Sequence, residues 1–537
     1  MRSLVRLTVG AIVVATISSH AAARQAQQQP TRMSWETFIQ SPARVQSLRN
    51  AVAVMRSRNS ADRTSALYRT SWEYWASMHG YFGPTSPFGT VEFGRQRYVN
   101  SGGDPFLFPL FNGITNMTPP DSVAQQVWAQ CQHGTPWFFA WHRIYLYYFE
   151  QVLQAAANDP DLRLPYWDYT DPAQVAMPAP YSDSTYDDAL GHLVLNPLFE
   201  PRRVPGWNPP GGVTLDPKLT NIDDALKLKP YFGDPGVGFQ STIERGVHGT
   251  VHCSVVDCPA TDMGAVGYSA NDPIFWAHHA NIDRMWDCWT SLGNKNPTDD
   301  SNWMNKSFSF VNAKGELVTN KVSDLFDGTI KLGYVYQQAS NCSRAAAPTP
   351  PLAAPSAAPM SDAAMQSARA KLAKPAVLGE VKGHVINAAV SRMRLPIAGG
   401  SAMAPLRALA MRGNAALPVK TELVLRNIQF TNHPGKQFNV ILERRDDPTK
   451  RVYVGTLSFF ESGMPGHEHD EATINRTFDV TDELRQLAAA SDLKEVNVVF
   501  EVTTGRIAPG EDEMSFDPQD TKLTVGEIDL VVEAADQ

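Results

Sequence analysis

The chain of 537 residues has no basic cluster: 47 Lys and Arg stand against 55 Asp and Glu, a net charge of −8 spread along its length. No nucleic-acid partner is expected of such a chain. Beyond the first two dozen residues no apolar run reaches the roughly 20 residues that a membrane-spanning helix needs. Cysteine is scarce and odd in number, at Cys131, Cys253, Cys258, Cys288 and Cys342. At least one of the five therefore stands outside any intramolecular disulfide. No internal repeat is visible.

Apolar material is plentiful, with 43% hydrophobic and 10% aromatic residues. A chain this long exceeds what one core usually serves, so two domains are expected. Arg2 and Arg6 precede an apolar run from Leu7 to Ile17 and the small residues Ala21, Ala22 and Ala23. This reads as a signal peptide over 1–23, which implies a secreted or periplasmic protein with no membrane attachment after cleavage. Residues 34–343 read as aromatic-rich helices joined by long loops. Residues 344–415 begin as an Ala- and Pro-rich linker, "RAAAPTPPLAAPSAAP", and continue as an ambiguous segment. From 416 to 537 alternating runs such as "TELVLRNIQF" and "VNVVFEV" predict a small antiparallel β-sandwich or barrel.

The histidines carry the chemistry. In "RGVHGTVHCS" His248 and His252 are four apart, which on a helix puts both on one face. In "SANDPIFWAHHANIDRMWDCW" Asp272 is a candidate N-cap and Pro273 a first helical residue. Phe275, His279, Asp283 and Trp286 then share a stripe from which His278 points about 100° away. That geometry makes His278 a core histidine satisfied by hydrogen bonds. "CQHGTPWFFAWHRIYLYYFEQVLQAAA" puts His133 in a loop and His142 near the start of an apolar helix, where a buried imidazole needs a partner. His79 ends a further aromatic helix in "SWEYWASMHGYFGP".

Together these segments resemble the tyrosinase family of type-3 copper proteins, which includes polyphenol oxidases, catechol oxidases and molluscan haemocyanins. The resemblance covers roughly residues 34–340. It implies a mainly α copper-binding domain with a four-helix bundle core. His79, His133 and His142 would hold a first copper, and His248, His252 and His279 a second, with O2 as co-substrate. Neutral imidazole suits both Cu(I) and Cu(II), so an all-histidine site can cycle without losing metal. "LGYVYQ", with Tyr334 and Tyr336, resembles the motif that closes this domain. The C-x-H spacing of Cys131 and His133 resembles the one at which some members carry a thioether bond. That would leave four cysteines for two disulfides, with Cys253–Cys258 and Cys288–Cys342 favoured among three pairings.

The resemblance also implies a small phenolic substrate oxidised from o-diphenol to o-quinone. o-Aminophenol oxidation and haemocyanin-like O2 carriage are the alternatives. Phe275 is then a candidate gate, its plain reading being core packing. Glu244, four before His248, is a candidate for placing the water that deprotonates monophenols, its plain reading being a surface carboxylate. Gly249 and Cys253, each following a candidate ligand, depart from strong monophenol hydroxylases. "GKQFNVILE" and "GTLSFFESGMPGHEH" resemble the C-terminal domain that covers the copper site in polyphenol oxidase precursors. Phe459, Phe460 and Met464 are candidate plugs, while His467 and His469 read as a solvated loop.

Overall fold

The computed structural model describes residues 30–80, 119–337, 374–399, 403–412, 419–462, 474–489 and 493–534, apart from short internal stretches and with scattered positions over 342–372. The signal segment, most of the linker, and Met464, His467 and His469 lie outside the described residues. Among the described residues no helix is long and apolar enough to cross a membrane.

Five helices frame the first domain: α1 (Pro42–Ser57), α2 (Trp72–His79), α3 (Phe138–Ala157), α4 (Gly249–Val255) and α5 (Ile274–Ser291). Ser71 caps α2 by accepting from Tyr74 N, and Gly80 ends it. Asp272 accepts from Ile274 N at the start of α5, one residue ahead of the expected phase because Pro273 takes the cap position. α4 is entered through a π-helical turn, Glu244–His248, in which Gly246 departs from helical geometry at φ −98, ψ −107. Such turns re-aim side chains and are frequent at functional sites. Both ends of the domain are clasped together. Thr31–Arg32 pairs in parallel with Val335–Tyr336, and fully buried Arg32 reaches Glu150 at 2.9 Å and the Tyr336 hydroxyl at 2.8 Å. Tyr334 and Tyr336 donate to Asp283 on α5, which also takes Arg143 at 2.6 Å. These charges compensate one another where solvent cannot.

The C-terminal unit contains two four-stranded antiparallel sheets. Its strands are β1 (Ala376–Val385), β2 (Val390–Pro396), β3 (Val419–Gln429), β4 (Gln437–Arg444), β5 (Arg451–Leu457), β6 (Ile474–Asp479), β7 (Glu495–Thr503) and β8 (Thr524–Ala534), with α6 (Thr481–Ala488) between β6 and β7. The orders are β6-β3-β8-β1 and β5-β4-β7-β2, and one apolar core serves both. Neither sheet closes on itself, so the expected barrel is not formed. Strands β1 and β2 occupy part of the segment that the sequence left ambiguous, so residues from 376 onward are integral to the sheets. The alternation of β1 is blurred by Gly379 and by Gly383, which has φ +68. The two units meet through a strand pair, Arg506–Ile507 with Thr214–Leu215, and through Arg506 with Asp257 at 2.9 Å.

Candidate metal centre

Two groups of buried donor side chains face one another. His79, Cys131, His133 and His142 form the first, and His248, His252, His278 and His279 the second; within each, the donor atoms lie inside 4.8 Å of one another. Ring centroids in the first group are 5.1 to 5.5 Å apart. Between groups, His142 stacks on His279 at 4.5 Å and His133 on His248 at 5.8 Å.

The backbone fixes how four of these rings are presented. Nδ1 of His79, His142 and His252 lies 2.8 Å from the carbonyls of Val266, Phe138 and Met263, and Nδ1 of His248 lies 3.2 Å from that of Glu244. A carbonyl can only accept, so each Nδ1 carries the proton and each Nε2 keeps its lone pair for a metal. In the second group Nε2 of His248, His252 and His279 is buried without a hydrogen-bond partner. An orphaned polar atom in a dry interior is costly, and a cation at this point relieves the cost. Burial, reinforced by the neighbouring imidazoles, holds His142, His252, His278 and His279 well below the usual histidine pKa. Neutral rings are what a copper ligand requires.

His278 is in the second group despite its different helical phase. Its Nδ1 meets the Tyr169 hydroxyl at 2.8 Å, as a satisfied core histidine would, but its Nε2 is buried without a partner. Its ring stacks parallel to His248 at 5.5 Å. Both nitrogens of His279 are without partners, and its ring lies between the groups, within 5.7 Å of His79, His142, His248 and His252.

The remaining sequence candidates fall into place around the rings. Cys131 Sγ is a buried free thiol 3.5 Å from His133 Nδ1 and 3.8 Å from His142 Nε2. The other four cysteines form Cys253–Cys258 and Cys288–Cys342. Phe275 is fully buried against His79 at 4.7 Å and His279 at 4.2 Å. Glu244 is buried, not at the surface. It accepts from Gly134 N at 2.5 Å and Gln240 Nε2 at 2.6 Å, tying the His133 loop to the π-helical turn. Burial, and then the carboxylate of Glu461, push its pKa well up.

The C-terminal unit closes over the second group. Phe460 stacks on His252 at 3.9 Å and 12°, and stands 5.6 Å from His248 and 6.4 Å from His133. Phe459, its neighbour, belongs to the C-terminal core instead. Glu461, which sequence reasoning did not single out, lies 3.4 Å from His248 Nδ1. The turn is held from behind by His433, whose Nε2 donates to the Phe459 carbonyl at 2.9 Å while its Nδ1 accepts from Gly435 N at 3.1 Å. Gly249 explains itself here: a Cβ at that position would lie 2.6 Å from Ser458 Oγ and 3.5 Å from the Phe460 Cβ.

The tyrosinase common central domain matches residues 69–227 and 214–292, and the polyphenol oxidase middle domain matches 298–349. The chain belongs to the tyrosinase and polyphenol oxidase family. Its two histidine groups are consistent with a type-3 dicopper centre. It is 31% identical to a chloroplastic polyphenol oxidase of Malus domestica over 404 residues, which is 67% of this chain and 63% of that one. It is 26% identical to tyrosinase HcTyr1 of Hahella sp. (strain CCB-MM4) over 513 residues, 89% and 95% of the two chains. The chain thus spans just under two thirds of the apple protein's length. Two solved structures share the fold: latent aurone synthase, with a TM-score of 0.55, 19% identity and coverage of 96% and 91%, and latent apple tyrosinase, with 0.53, 20%, 94% and 97%.

Proposed function

We propose that this chain oxidises o-diphenols to o-quinones, two diphenols giving two quinones as one O2 is reduced to two waters. The observation that carries this reading is the pair of facing, buried imidazole groups whose donor atoms converge within 4.8 Å in each group. His79, His133 and His142 would hold one copper ion and His248, His252 and His279 the other. The pair, when bound, supplies O2 activation and accepts the electrons of the phenol. The chain's own part is to orient the rings through backbone carbonyls and to exclude water. His278 then serves as a positioning residue, its ring braced by Tyr169 against His248. We read Cys131 and His133 as the thioether pair and Glu244 as the acceptor that places a water near the first group.

The chain is read as a signal peptide over 1–23, an exported catalytic domain over 34–343 built on a four-helix core, and a C-terminal β-sandwich that begins at β1. Two disulfides accord with an oxidising compartment. The sandwich is proposed to shield the centre, with Phe460 in the place a phenol ring would take over His252. Gly249 and Cys253 depart from monophenol hydroxylases for reasons of shielding: one makes room for Ser458, and the other forms the disulfide that packs with Phe460. Oxygen uptake with catechol, tyrosine and o-aminophenol tests the substrate class. Sustained uptake with catechol supports the reading, and reversible O2 binding without turnover would replace it with a carrier.

A further inference from the structure

Between the π-helical turn and the C-terminal unit lies a cavity of about 390 Å³, within the size range of small-molecule sites. Both domains build it. Leu219, Ile222 and Val247 supply apolar wall on the catalytic side, and Tyr453, Val454 and Phe478 on the other. Gly246 opens toward space, since a Cβ there would meet no atom within 4 Å. Lys218, Arg245 and Arg476 line the cavity together with two acids, Asp224 and Glu483. Asp224 is engaged by Lys227 at 2.6 Å. Burial, and then Asp224, Asp479 and Asp482, push Glu483 up to about 7. At neutral pH and below, the lining is therefore more positive than negative.

We propose that this cavity is a binding site for an amphipathic carboxylate, a compact apolar body with one anionic head turned toward Arg245 and Arg476. Arginine suits the head, because its planar fork matches a carboxylate and tolerates partial burial. The apolar walls suit the body. A ligand touching both domains contacts its full site only while they are docked. By linkage it favours the docked state by the ratio of its affinities for the two states. Occupancy therefore strengthens shielding of the copper centre and lowers the turnover of the intact chain. That consequence rests on the shielding role proposed above; the binding site does not. As pH rises through about 7, ionisation of Glu483 places a negative charge among Asp224, Asp479 and Asp482, offset by Lys218, Lys227, Arg245 and Arg476. Affinity for the anion falls accordingly.

The test is calorimetric titration of the full-length, copper-loaded chain with 4-cyclohexylbutyrate, followed by catechol turnover in its presence. Expected are saturable one-site binding that weakens from pH 6 to pH 8, at least tenfold weaker binding in Arg476→Ala, and partial recovery in Arg476→Lys. Thr242 also lines the cavity on the catalytic side, and Thr242→Trp, which fills it from there, should abolish binding even if Arg476→Ala folds poorly. Turnover of the intact chain should fall with the probe, and that of Arg476→Ala should not. Absence of saturable binding, or binding unchanged in both variants, overturns the site. Equal inhibition of the parent and Arg476→Ala chains would place the probe at the copper centre and overturn the regulatory consequence. Binding does not depend on turnover, so a chain that bound the probe without oxidising catechol would overturn the oxidase reading alone.

Discussion

The two histidine groups reach the same chemistry by different construction. The first gathers single residues from the end of α2, a loop and α3, with Cys131 beside His133 and His142. The second comes from two pairs, His248 with His252 and His278 with His279, on neighbouring helical stretches. The C-terminal unit treats them unequally: Phe460 stacks on His252 and Glu461 approaches His248, whereas only His133 of the first group comes within 6.4 Å of Phe460. On the proposed function, the difference means that metal holding is shared by both groups while access is governed at the second.

The largest expected effect breaks the shared function. His142→Ala and His252→Ala should each lower catechol-dependent O2 uptake by well over about 100-fold, beyond the 10- to 100-fold typical of residues that only orient ligands, and copper analysis should show fewer than two ions per chain. His278→Ala should keep two ions and lose no more than about tenfold in uptake, in keeping with an orienting residue. Loss of a copper from His278→Ala would move that residue into the ligand set.

Next in size, Phe460→Ala sharpens the asymmetry. Removing a buried phenylalanine costs about 3 kcal/mol or more, so the docking equilibrium should shift by about 100-fold and the uncut chain should gain turnover at constant copper content. Gly249→Asn attacks the same contact from the catalytic side by overpacking against Ser458. At about 1 to 3 kcal/mol its effect on uncut turnover should be the same in direction and smaller, read in the same oxygen-uptake assay.

The smallest effect concerns His433. Its two hydrogen bonds require a neutral ring with the proton on Nε2, and burial holds its pKa down. Protonation of Nδ1 breaks the bond from Gly435 N and loosens the support of the Phe459–Phe460 segment, so docking is strongest above the free pKa of about 6.5 and weakens as pH falls below it. Uncut turnover relative to fully cleaved enzyme should therefore rise between pH 7 and pH 5. His433→Gln, which does not titrate, should flatten that ratio.

Much of this centre was legible in the chain. The i, i+4 spacing of His248 and His252, the stripe through His279 and Asp283, and the aromatic helix around His142 express a fixed periodicity. Long-range placement was not legible. Phe459 and Phe460 are adjacent at a strand end, where successive side chains take opposite faces; only the docked fold shows that Phe459 enters the C-terminal core and Phe460 stacks on His252. Glu461 and Tyr169 touch His248 and His278 from far along the chain, with no local pattern to mark them. His278 escaped the helical-phase argument because that argument gives a direction and not the position of the neighbouring elements. Strand β1 was hidden by its two glycines, and β2 by its short length and its charged solvent-facing positions.

Shielding of the second group by Phe460 is tested most directly by catechol-dependent oxygen uptake per copper, measured on the intact chain and again after cleavage between residues 344 and 375 with copper content checked on both. A clear rise on cleavage at unchanged copper is expected. Equal turnover per copper before and after would contradict it and leave the C-terminal unit a purely structural partner.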